Sequence, residues 1–237
     1  MKKRTSSLEN ALTILKLFSM NEPELSATAI SRKLSVSKST AHRLLASLLS
    51  EGFVHKDPQT NLYSLGTSIL SLVNIVNSQI HISTEVIPLL NMLVEKTRES
   101  AHLAILEKDD AVYIQTMEGI YPCNDQIQLG TRKPSLQTAA GQVILAFQSE
   151  QGNLLSIERQ TFIRNKGFAI HKDGKIVEIA VPVYKNSTDV IAALSMTADK
   201  KRTSALRIQK QYIYLLQQAA DELRKMIQIR RYQKIEE

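Results

Sequence analysis

The densest set of chemistry-bearing residues runs from Ser37 to Arg43. Ser37, Lys38, Ser39, Thr40, His42 and Arg43 offer hydroxyl, ammonium, imidazole and guanidinium donors within two helical turns. Such donors reach base edges and phosphates in a DNA major groove. Ser37 as N-cap leaves backbone N–H groups pointing outward, which suits a phosphate. Arg32 and Lys33 flank this run on one side. Lys56, with the turn around Gln59 and Asn61, supplies polar groups on the other. No such concentration occurs for catalysis. His81, His102 and His171 lack metal-ligand spacing, and neither a Gly-x-Ser-x-Gly nor a Gly-rich phosphate loop is present. Ser195, His171 and Glu178 match a triad only by residue type, so a metal-free, cofactor-free non-enzyme is expected.

The elements that must position the Ser37 run are legible. Leu8, Ala11, Leu12, Leu15, Leu17 and Phe18 have helical spacing, with Ser6 or Ser7 as cap and Asn21–Glu24 as stop. Ser26 caps a short second helix bearing Ala29, Ile30 and Leu34. A tight break at Ser35-Val36-Ser37 leads into a third helix that buries Ala41, Leu44, Leu45, Leu48 and Leu49. That helix stops at Glu51-Gly52, where Gly52 suits a left-handed terminus. Phe53–Lys56 and Leu62–Leu65 then alternate as strands around a polar turn. Three helices and a hairpin make a winged helix-turn-helix over residues 1–66. Within it stand nine Lys and Arg against five Asp and Glu, about four of the chain's net +7 charges.

Residues 67–80 carry no charge, and their apolar side chains spread around most of a helix. An apolar helix between two domains should not stay bare in water, so it is expected to pack onto its own chain or, the sharper expectation, against a second copy. The remainder, 81–237, alternates strands and helices. A helix at Glu85–Thr97 precedes a hairpin of Ala101–Leu106 and Ala111–Thr116. A short strand at Ile127–Leu129 follows, then a small-residue helix from Gln137. Strands at Ile176–Val183 and Val190–Met196 turn at Asn186–Asp189, and a long helix closes the chain from Thr203. This predicts an α+β domain with an antiparallel sheet and helices to one side. Of 237 residues 43% are apolar and 22% charged, which excludes general disorder. The single cysteine, Cys123, excludes an internal disulfide and reads as a small filler or surface thiol. No apolar run is long enough to span a membrane, and no secretory signal is evident, so a cytoplasmic location is expected.

Several separated segments resemble the IclR family of bacterial transcriptional regulators. Ser7–Leu15 is similar to its opening helix, Ser37–Leu48 to its recognition helix, and Glu51–Val54 with Tyr63–Gly66 to its wing and exit. Gly130–Pro134 through Gly141, Gly167–Ala169 and Ala180–Val183 resemble its GAF-like effector-binding domain. The resemblance implies a homodimer, often paired into tetramers, that binds double-stranded operator DNA. It also implies a small effector, commonly an organic acid or aromatic compound, with repression the commoner outcome. Carried onto this chain, the effector would meet the backbone of Ala139 and Ala140, His171 on a loop, Glu178, and Ser195 and Thr197 on the last strand. The family often has a small residue, Cys or Ser, where Glu178 stands. A carboxylate there would repel an organic anion unless protonated or paired with His171 or Arg164; a neutral or cationic ligand would avoid the conflict. Two alternatives stand beside this reading: a C-terminal domain that only oligomerises, and an enzyme with a basic accessory domain.

Overall fold

The computed structural model describes residues 6–19, 21–79, 82–121, 127–148, 154–186 and 188–233. Cys123, His81 and Ser187 of the 186–189 turn lie outside them. The chain divides into two compact units, 1–79 and 80–237.

In the first unit, α1 (Ser7–Leu17), α2 (Ala27–Leu34) and α3 (Lys38–Ser50) each begin at a serine cap. The hydroxyls of Ser6, Ser26 and Ser37 accept from the amides of Glu9, Ala29 and Thr40. Each satisfies an amide that has no partner within its own helix. Ile14, Ile30, Leu44, Leu45 and Leu48 meet Leu25, Val54 and Tyr63 in one apolar core. Helical spacing marks α1 without saying which side is covered, and one burial expectation, Leu49, fails. Leu8 and Leu12 are 69% and 52% exposed, and Ile14 is instead the residue α1 buries. Leu49 is also exposed, because α3 turns its 41/44/45/48 stripe inward. Strands β1 (Val54–Lys56) and β2 (Tyr63–Leu65) form the antiparallel hairpin, and Leu25 adds a bridge to Tyr63. Gly52 has φ +71°, and a Cβ there would lie 2.5 Å from the Ser68 hydroxyl, so the end of α3 closely approaches α4 (Ser68–Gln79).

The second unit opens with α5 (Ile82–Glu85) and α6 (Ile87–Thr97), where Pro88 sits in the first turn. Strands β3 (Ser100–Glu107), β4 (Asp110–Met117), β5 (Arg132–Pro134), β6 (Ala169–Asp173), β7 (Ile176–Tyr184) and β8 (Val190–Asp199) follow. They form one antiparallel sheet in the order β5-β4-β3-β8-β7-β6. After a short turn at Ser135–Gln137 comes α7 (Ala139–Ala146), then α8 (Ile157–Lys166). The closing helix comprises α9 (Ala205–Arg207), a π-helical turn at Ile208–Tyr212, and α10 (Ile213–Gln233).

The sheet is covered on both faces, not on one as expected. Val177, Ile179, Val181, Leu194 and Met196 pack with α6 and α10, while Ala180, Ala193, Ala169 and Ala104 pack with α7 and α8. The alternation along β7 produces the two layers. A Cβ on Gly141 would stand 2.4 Å from the Ser135 carbonyl oxygen, so only glycine lets α7 settle onto its preceding turn. Ile127–Leu129 is not a strand. Gly130, at φ +82°, turns the backbone there, and the edge pairing passes to Arg132–Pro134.

Candidate DNA interface and effector cavity

The first candidate site is the outer side of α3. Lys38, Ser39, His42 and Arg43 are exposed, whereas Ala41, Leu44 and Leu45 face the core. The side chains of Arg32, Lys38, His42 and Arg43 have no hydrogen bond or ion pair among the described residues, which leaves them available to an external acceptor. Ser37 and Thr40 are already engaged. The Ser37 hydroxyl takes the Thr40 amide at 3.2 Å and lies 2.8 Å from the Thr40 hydroxyl and 2.9 Å from that of Ser39. These three hydroxyls shape the helix start, and its remaining amides point to solvent. Lys33 forms an ion pair with Glu22. In the wing, Lys56 Nζ lies 5.8 Å from the centre of the Tyr63 ring. The Asp57 carboxylate accepts from the amides of Gln59 and Thr60 at 2.6 and 3.0 Å. Those amides, Thr60 first, hold its carboxyl below the usual range. Asn61 takes φ +57°, closing the turn. The wing tip is therefore a fixed loop that presents the exposed Gln59 and Asn61.

The second site is a cavity of about 600 Å³ in the C-terminal unit. It is ligand-sized, since small-molecule pockets run from about 300 to 1,000 Å³. Strand β5 and the turn before α7 supply Arg132, Lys133 and Thr138, and β6 and β7 supply His171, Asp173 and Glu178. Thr197 comes from β8, and Ile127, Pro134 and Ile176 give apolar wall. Arg132 is tied to Glu107 at 2.7 Å and to Asp110 at 3.4 Å. Those two carboxylates hold its guanidinium more firmly protonated, Glu107 first.

Cross-strand register builds the cavity floor. Ser100, Thr197, Glu178 and His171 stand opposite one another across β3, β8, β7 and β6. Glu178 is 6% exposed. Its Oε2 accepts the Ala139 amide at 2.7 Å, and its Oε1 accepts the Tyr113 hydroxyl at 3.0 Å. Burial pushes its carboxyl above the usual range, although the Ala139 amide and the Tyr113 hydroxyl pull the other way. Beside it, fully buried His102 reaches the Thr197 hydroxyl at 3.0 Å and that of Thr116 at 3.3 Å, edge-on to Tyr113. Gln142 of α7 donates to the Leu136 carbonyl and accepts from Arg159 of α8 at 2.8 Å. Its amide nitrogen also meets His171 Nδ1 at 3.3 Å, so one side chain joins α7, α8 and β6.

Of the six residues expected to meet the effector, His171, Glu178 and Thr197 line the cavity. Ala139, Ala140 and Ser195 do not line it; all three are fully buried. The Ala139 amide is not open to a ligand, because Glu178 takes it. Glu178 pairs with Tyr113 and Ala139, not with His171 or Arg164. Arg164 donates instead to the carbonyl of Ala146. His171 lies on strand β6, opposite Glu178 in the strand register, and not on a loop. The Ser195 hydroxyl has no hydrogen-bond partner among the described residues, so Ser195, His171 and Glu178 form no nucleophile–base relay. The sequence reading overlooked Tyr113, His102 and Thr116. A histidine within an otherwise apolar strand segment, Ala101–Ala104, was the available signal. No group of three or more His, Cys, Asp or Glu that could hold a metal occurs among the described residues.

A winged-helix unit with an exposed basic helix, together with a second unit whose two-faced sheet borders a ligand-sized cavity, is the architecture of a DNA-binding transcriptional regulator. Comparison with known proteins places it further. Residues 7–58 match the IclR helix-turn-helix domain, and residues 75–165 the bacterial transcriptional regulator IclR C-terminal domain. The chain is 31% identical to the HTH-type transcriptional regulator XynR of Escherichia coli, over 81% of this chain and 85% of that one. It is 27% identical to KdgR of the same organism, over 90% and 91%. The fold matches the crystal structure of Thermotoga maritima IclR with a TM-score of 0.75 at 22% identity, covering 93% and 98% of the two chains. An IclR homologue from Microbacterium hydrocarbonoxydans, crystallised with 4-hydroxybenzoate, matches at TM-score 0.78 and 18% identity, over 94% and 100%. The chain belongs to the IclR family and is a DNA-binding transcriptional regulator. Among the described residues no helix is long and apolar enough to cross a membrane.

Proposed function

We propose that the chain is a ligand-responsive repressor whose affinity for double-stranded operator DNA is set by a small molecule in the C-terminal cavity. The cavity of about 600 Å³, with a polar floor and apolar walls, is the observation that carries this reading. The structural relative bound to 4-hydroxybenzoate supports an effector of similar size. Arg32, Lys38, Ser39, His42 and Arg43 make the principal DNA contacts. Ser37 and Thr40 shape the helix start toward a phosphate, and Lys33, Lys56 and Asn61 contribute at the flanks. Residues 1–66 form the DNA-binding domain, 67–80 the linker helix and 81–237 the effector and oligomerisation domain.

A homodimer is part of the same proposal. On α4, Leu70, Leu72, Ile75 and Val76 are each about half exposed or more, from 48% to 62%. Two copies related by a two-fold axis would cover that surface and address two half-sites. Ligand must favour one arrangement of the dimer over another, or it changes nothing at the operator.

Fluorescence anisotropy with DNA from beside the protein's own gene, against random DNA across a salt series, tests the reading. Binding that falls with salt for both but stays at least about 10³-fold tighter for the local DNA is expected. A metabolite screen in the same assay should find compounds that move the specific affinity. No DNA binding at any salt would remove the reader; no metabolite effect would leave the C-terminal unit as an oligomerisation platform.

A further inference from the structure

Glu178 holds an unusual place for a residue on the floor of a sensing cavity. It stands near the start of α7, a helix of eight residues whose N-terminal amides favour negative charge. Both carboxyl oxygens are filled by the protein itself, Oε2 by the Ala139 amide at 2.7 Å and Oε1 by the Tyr113 hydroxyl at 3.0 Å. A second observation points to the same spot. The Ser195 hydroxyl is fully buried and close enough to this carboxyl to favour its charged form, although its geometry completes no hydrogen bond. A backbone amide, a phenol and a serine hydroxyl around one oxygen pair is the donor set that proteins use to hold a carboxylate.

We propose that this end of the cavity is a carboxylate seat already filled by Glu178 of the same chain, so that the effector meets it with an uncharged hydroxyl or carbonyl group. This rests on the effector reading above. It orients the ligand. Any acidic group it carries turns away from Glu178 and toward Arg132 and Lys133 on β5, which line the same cavity. An anion brought against the seat would find the Ala139 amide and the Tyr113 hydroxyl in use and a carboxyl in its path.

Acetate as a free probe, against chloride at equal ionic strength, tests the seat. Thermal unfolding of the full chain is followed for wild type, Glu178→Ala, Glu178→Ser and Glu178→Gln. The Ala and Ser substitutions vacate the seat. Tens of millimolar acetate should raise their unfolding temperature by about 2–4 °C or more, or restore folding where chloride does not. Wild type, whose seat is full, and Glu178→Gln, whose amide fills the same space, should gain clearly less from acetate, since only the Arg132 and Lys133 end is left to receive it. Ala and Ser variants that behave identically in the two salts, folded or unfolded, would overturn the seat. An acetate-specific rise in wild type as large as that in the Ala and Ser variants would do so too. Acetate rescue with no metabolite effect on DNA binding would retire the effector reading and keep the seat. A metabolite effect without rescue would do the reverse.

Discussion

The Tyr113 hydroxyl donates across 3.0 Å to Glu178 Oε1, joining β4 to β7 over the two strands that lie between them. Both residues are buried, so this bond ties separated parts of the cavity floor without help from solvent. Removing the phenol oxygen leaves a buried carboxyl oxygen without its donor. Tyr113→Phe should therefore cost about 1–3 kcal/mol of stability, measured by chemical denaturation. An unchanged midpoint would mean that another group takes over the acceptor.

Glu178 makes the second unit sensitive to pH with a definite sign. Its folded carboxyl titrates above the ordinary range because burial disfavours the charge. The folded state thus holds the proton more tightly than the unfolded state. Its contribution is fully present below the ordinary carboxyl value and is lost as pH rises through the raised folded one. Glu178→Gln should flatten the fall in stability across that window. Thermal unfolding from acid to neutral pH, with wild type alongside, checks it; parallel curves would show that Glu178 does not set the slope.

Arg43 carries the sharpest prediction at the DNA. Its side chain is exposed on the outer side of α3. Arg43→Ala should weaken specific operator binding by about 1–3 kcal/mol. Loss of sequence preference would mark a base contact; equal weakening on all DNA with a shallower salt slope would mark a phosphate contact. Unchanged operator affinity would take Arg43 out of the reader.

The exposed apolar surface of α4 predicts how the protein assembles. Leu72→Asp with Val76→Asp places two charges on that helix, where the native residues are 48% and 50% exposed. Light scattering should then report monomers in place of dimers, with helix content retained by circular dichroism. Dimers that persist would move the interface to another surface.

The first unit was largely legible because its determinants are local. Three serine caps, a glycine terminus and one apolar stripe per helix all act within a few residues of themselves. Two points were not legible: apolar spacing marked α1 but not which side would be covered, and Leu49 lies outside the buried stripe of α3. The second unit was harder. Helix α8 buries only Gln160 and Ile163, too little apolar periodicity to announce a helix. Strand β6 lies at the sheet edge and carries His171, Lys172 and Asp173, so it read as a loop. The site was least legible. His102 meets Thr197 across 95 residues of chain, and Tyr113 meets Glu178 across 65. Only the strand order brings these side chains together.

That strand order also bears on how the protein is made. β3 and β8, the first and last strands of the second unit, are neighbours at the middle of the sheet. On the ribosome the β3–β4 and β6–β7 hairpins emerge as separate pieces, and neither can dock until β8 arrives to bridge them. The winged helix, built from short-range contacts, can be complete well before that. A nascent chain thus holds a finished DNA reader while its C-terminal unit still waits for its central strand. Synthesis that stops short of Val190 would release a reader without a completed sheet beside it in the chain.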